Sequence, residues 1–193
     1  MQLIIKPADN SMLLLLETAQ YKSIWAQYSR QIFKAFREVT GLEFQQWSIT
    51  ALVSAVEQSS AGHFHESMRL SADGRLVENK LITVVHELSH RLLGGNAIGA
   101  ERLNQFSEAE LYGAPYDEAE HSNIYLFEYD VIRTALGEDW GNRCIRWEAR
   151  AEETDAHDKA WNRVMRMSYA ERQTALKILA AKAVTRERWD ELE

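Results

Sequence analysis

The stretch that most constrains this chain is Glu78–Gly95, ENKLITVVHELSHRLLGG. Leu81, Ile82, Val84, Val85, Leu88, Leu92 and Leu93 cover most of its circumference, which predicts a helix buried on nearly every side. Two histidines, His86 and His90, interrupt that apolar surface four residues apart, with Glu87 beside the first. On a helix that spacing places both imidazoles on one face, one turn apart, where they can reach a single metal ion. Glu87 is rotated from His86 by about 100°, close enough to hold a water molecule at the metal without ligating it. Gly94-Gly95 predicts a left-handed stop to the helix. The plain alternative is a core helix whose two histidines are satisfied by hydrogen bonds.

Composition limits what surrounds this helix. A chain of 193 residues, 46% of them hydrophobic, can bury one substantial core and is read as one domain, 1–193, with 138–193 a helical C-terminal extension. The formal charge of −7, with no basic stripe interleaved with aromatics, argues against nucleic acid or an anionic membrane as main partner. Met1–Lys6 lacks a basic leader and Met12–Leu16 is too short for a signal core or a span. The single cysteine, Cys144, rules out an internal disulfide framework and fits a reducing compartment, so the expected location is cytoplasmic. Cys144 itself is read as a small buried hydrophobe rather than a nucleophile.

In chain order, Gln2–Ile5 predicts a short edge strand ending at Pro7, and Asp9-Asn10-Ser11 offers capping groups. From Leu15 to Val39, Leu16, Ala19, Ile24, Trp25, Tyr28, Ile32, Phe33 and Phe36 recur at three and four, a long amphipathic helix closed by Thr40-Gly41. Leu42–Val56 is rich in β-branched and aromatic residues and predicts one or two strands. His63–Leu70 alternates and predicts an edge strand with His63 and His65 on one face, a solvated edge rather than a metal site. Asn96–Glu120 predicts an irregular connection with a short helical piece near Ala100–Phe106. A second apolar helix follows over His121–Leu136, stopped by Gly137. Asn142–Met167 predicts a long helix with Trp147, Trp161 and Met165 on its apolar face; Ser168 to Glu171 is a capping box for a last helix, and Thr185–Glu193 is a charged tail. The fold class is therefore α+β: a small mixed sheet with an edge strand packed on the His86–His90 helix, and a mostly helical C-terminal half.

The His86-Glu87-x-x-His90 pattern resembles the zincin metallopeptidases. The resemblance implies a zincin-like fold, a Zn2+ cofactor, His86 and His90 as zinc ligands, and Glu87 as the general base. Metzincins continue with Gly three residues after the second His and then a third His; Leu93 and Asn96 occupy those positions here, which disfavours that branch. The gluzincin arrangement is closer, with a third ligand from a later helix, but its E-x-x-x-D pattern does not occur after His90.

Helical geometry narrows the third ligand. With His121 as origin, Tyr125 lies at about +40° and Glu128 at about −20°, on one face, while Asp130 falls opposite. Either His121 or Glu128 could reach the metal. His121 is favoured because imidazole suits zinc without adding buried charge, whereas Glu128 sits mid-helix between Phe127 and Tyr129. Failing both, Asp117, Glu118 or Glu120 remain. Tyr125 is read as packing, with oxyanion donation the alternative.

The expected function is a zinc-dependent hydrolase, a small intracellular metallopeptidase in which Glu87 activates a zinc-bound water against an amide carbonyl. The resemblance further implies that a peptide or protein substrate would pair along the His63–Leu70 edge. A hydrolase of a non-peptide amide and a non-catalytic binding domain of zincin-like fold are the alternatives.

Overall fold

A computed structural model describes residues 1–56, 58–62, 66–96, 116–148 and 155–183. Three strands carry the N-terminal third: β1 (Gln2–Pro7), β2 (Ser48–Ser54) and β3 (Met68–Ser71), in the order β1-β2-β3. Both pairings are parallel, Leu3 opposite Ile49 and Ile5 opposite Ala51, then Ala51 opposite Met68 and Val53 opposite Leu70. Among the described strands the sheet is thus parallel rather than mixed. The cause is α1 (Met12–Thr40), which carries the chain back from the end of β1 to the start of β2, so the two strands run the same way.

Residues two apart share a face, so Leu3, Ile5, Ile49, Ala51, Val53, Met68 and Leu70 form one apolar surface, and all are buried. The sequence between Leu42 and Val56 yields one strand, β2, rather than two. Of the predicted edge strand, the described residues form strand over β3. The outer side of β3 is partly covered, because Ser60 and Arg69 exchange backbone hydrogen bonds of 2.9 and 2.8 Å. His63 and His65 lie outside the described residues.

Six helices are described. Ser11 caps α1 through its hydroxyl, and Gly41 ends it at a φ of 68°, donating its N–H to Arg37. The predicted stripe is out of phase at its start: Leu16 is exposed, while Leu14, Glu17, Thr18 and Tyr21 face inward. Glu17 can do so because it meets Lys80, itself fully buried, at 2.6 Å. Lys80 belongs to α2 (Val77–Gly95), the histidine-bearing helix. Leu81, Ile82, Val84, Val85, Leu88 and Leu92 are all inaccessible, as their density in the sequence requires. Neither Gly94 nor Gly95 adopts a left-handed conformation. Asn96 ends α2 instead, its side-chain amide donating to the carbonyls of Leu92 at 2.8 Å and Glu43 at 3.0 Å.

Residues 97–115, with the predicted helical piece near Ala100–Phe106, lie outside the described set. Next comes α3 (Tyr116–Leu136), five residues earlier than its apolar pattern suggests, and it is the central helix. Ala119, Ile124 to Phe127, Val131 and Ile132 are buried together with the polar Glu118, Ser122, Asn123, Glu128 and Asp130. A helix enclosed on all sides needs its polar groups matched. Asp130, for example, meets Arg172 at 3.1 Å. Helices α4 (Glu138–Glu148), α5 (Asp155–Arg166) and α6 (Tyr169–Lys182) pack around α3; α4 begins four residues before the Asn142–Met167 stretch read as one long helix, and α5 lies within it. Gly137, at a φ of 92°, turns the chain from α3 into α4. The capping box at Ser168 and Glu171 opens α6 as expected. No described helix is long and apolar enough to cross a membrane.

Candidate metal centre

The site forms where α2 and α3 run antiparallel. His86 lies level with Tyr125 and Glu128, and His90 level with His121 and Glu120. The two α2 imidazoles stand one turn apart with ring centres separated by 5.1 Å. The rings of His90 and His121 are 5.8 Å apart.

The His86 ring is held by a neighbour. Glu128, with no accessible surface, meets His86 Nδ1 through Oε2 at 2.8 Å and accepts from the Cys144 thiol through Oε1 at 2.9 Å. A carboxylate can only accept, so the proton of a neutral His86 ring sits on Nδ1 and the lone pair on Nε2. Glu128, the alternative third ligand by sequence, therefore has both oxygens committed to other groups. Glu120 lies 3.8 Å from His90 Nδ1. Of the remaining acidic candidates, Glu118 is paired with Arg163, and the side chain of Asp117 is outside the described set. All three stand on the first turns of α3, not on a loop.

Burial and the adjacent His86, His121 and His157 hold the His90 imidazole well below the usual histidine range. A ring kept neutral at pH 7 is in the state a metal ligand needs.

Glu87 is buried on the neighbouring strip of α2, with Lys80, Thr83 and Arg91. Its charge acts on Arg91, one turn further on, and contributes to the raised phenol of Tyr21, whose main cause is burial. Arg91 also donates to the backbone carbonyl of Glu66, which ties the segment before β3 to α2.

Sequence reasoning missed His157. It projects from α5, hydrogen-bonds through Nδ1 to the Tyr125 hydroxyl at 3.0 Å, and lies 3.7 Å from the His121 ring centre. Four of the chain's six histidines thus form one group. The available signal was Trp161, one turn beyond His157 on the apolar face of the same helix. Tyr125 both packs, against Trp161 at 5.1 Å, and uses its hydroxyl.

Does this donor set suit zinc? With a zinc–nitrogen bond of about 2 Å, rings on adjacent tetrahedral positions have centres about 5 Å apart. The spacings of 5.1 and 5.8 Å along His86, His90 and His121 are near that value, and the 3.7 Å between His121 and His157 is too short. An imidazole whose second nitrogen is held by a buried carboxylate, as in His86, is the right chemistry. Among the described residues, however, no three His, Cys, Asp or Glu side chains are already gathered for one ion. No family model, curated protein or solved structure matched the chain, so the assignment rests on these residues alone.

Proposed function

We propose that the protein is a zinc-dependent hydrolase, a small intracellular metallopeptidase, with His86, His90 and His121 as ligands and Glu87 as the general base. The observation that carries this reading is the His86–Glu128 contact at 2.8 Å, beside a second imidazole one turn on. A buried carboxylate on the far nitrogen of a histidine is the usual way to fix a ligating ring and raise its basicity. Zinc, when bound, supplies Lewis acidity to a substrate carbonyl and acidifies a water molecule.

The remaining work falls to the chain. His86 and His90 present lone pairs from one face, Glu128 keeps the first ring in its tautomer, and Glu87 takes a proton and returns it to the leaving amine. The net charge of −7 disfavours nucleic acid as substrate, leaving a peptide, a protein or a smaller amide. The intracellular placement rests on Cys144, a buried thiol bonded to Glu128.

A second reading, a non-catalytic domain, draws support from the ungathered donors and from the charge of Glu87 acting on Arg91 and Tyr21. Glu87→Gln separates the two. The enzyme reading expects zinc uptake unchanged and turnover of a peptide library lower by at least about 10²-fold. Full turnover by the variant, or none by zinc-loaded wild type on peptides and simple amides, would overturn it.

A further inference from the structure

His157 has no place in the ligand set just described, yet it is fixed from two sides. Ala160, Trp161 and Val164 anchor α5 in the core, and His157 stands one turn before Trp161 on that anchored helix. Its Nδ1 is bonded to Tyr125, whose own ring is wedged between Trp161 at 5.1 Å and His86 at 5.7 Å. Its ring lies over His121 at 3.7 Å, with 41° between the planes. Two rings that close cannot both meet one tetrahedral ion, whose neighbouring ligand rings stand about 5 Å apart. With His121 as the ligand, His157 can act on the ion only through it.

We propose that His157 is a positioning residue of the metal centre: packed against the His121 ring and hydrogen-bonded to Tyr125, it restricts the plane in which His121 meets the ion. The proposal rests on the zinc reading above. It makes α5 part of the site rather than an appendage to it, because the orientation of a ligand on α3 depends on a helix from the C-terminal half. Partners that orient a ligand are worth about 10- to 100-fold in metal affinity.

Cobalt(II) tests this in the full chain, with affinity read by competition against a chromophoric chelator and the coordination sphere by the visible absorption of the bound ion. His157→Ala is expected to bind cobalt about 10- to 100-fold more weakly and with an altered visible spectrum. His157→Phe, which keeps a ring over His121, is expected to recover most of that affinity. Wild-type affinity and spectrum in His157→Ala would overturn the proposal and leave the zinc reading intact. Loss as complete as in His90→Ala would overturn it differently, by making His157 a ligand. No cobalt uptake by the wild type would overturn the zinc reading itself. If His157→Ala does not fold, Tyr125→Phe carries the test: it removes one hydroxyl, the expected loss is several-fold, and unchanged affinity refutes the proposal.

Discussion

Replacing Glu128 separates ligation from orientation. Its two oxygens serve His86 Nδ1 at 2.8 Å and the Cys144 thiol at 2.9 Å, in a position with no accessible surface. In Glu128→Gln the single amide oxygen can accept from only one of these donors, and the amide nitrogen faces the other. One good hydrogen bond is lost and the His86 ring is less firmly held. Zinc affinity should fall by about tenfold, or about 1.4 kcal/mol. Glu128→Ala removes both acceptors and leaves space in which the ring can turn. Affinity should then fall by about 100-fold, and the metal-free protein should lose about 1–3 kcal/mol of stability from the stranded buried donors. Competition with a chelator gives the first quantity, and urea unfolding of the metal-free form gives the second. Wild-type affinity in both variants would refute the orienting role. Loss as complete as in His86→Ala would refute it from the other side, by making Glu128 a ligand.

Lys80, fully buried against Glu17 at 2.6 Å and 5.1 Å from the Tyr21 ring centre, gives a prediction about the fold alone. Lys80→Met strands a buried carboxylate and should cost about 3–5 kcal/mol in urea unfolding, whereas Lys80→Met with Glu17→Met should recover most of it; equal stability of the two would contradict the pairing. For pH, His90 is held well below 6.5, so the unfolded chain takes up a proton there that the native chain does not. Its contribution is present above the unfolded pKa and is lost as pH falls below about 6.5 towards the native value. The metal-free wild type should therefore lose more stability between pH 7 and 5 than His90→Gln does, and parallel pH profiles would contradict the burial of a neutral ring.

The histidine helix was legible because its signal is local. Seven apolar residues and a four-residue histidine spacing need no knowledge of the rest of the chain. The capping box at Ser168 and the turn at Gly41 were legible for the same reason. What failed was non-local. Whether strands pair parallel depends on what connects them, and the helix between β1 and β2 already contained that answer. Leu16 looked inward by spacing, but the pairing of Glu17 with Lys80, 63 residues away, gave the inward face to a carboxylate. Gly94-Gly95 looked like a stop until the Asn96 side chain supplied the cap. His157 is the clearest case, since only the packing of α5 on α3 brings it to His121. A charged helix with one His and one Trp a turn apart gives little warning of that.

The measurement that bears most directly on the whole account is zinc stoichiometry and affinity of the full chain, by equilibrium dialysis with elemental analysis, alongside His86→Ala and His90→Ala. The account predicts about one zinc per wild-type chain, and binding in either variant weakened by orders of magnitude while the helical content by circular dichroism is unchanged. A wild-type chain that takes up no zinc at micromolar concentration, or one that binds it equally well without His86 and His90, would contradict it.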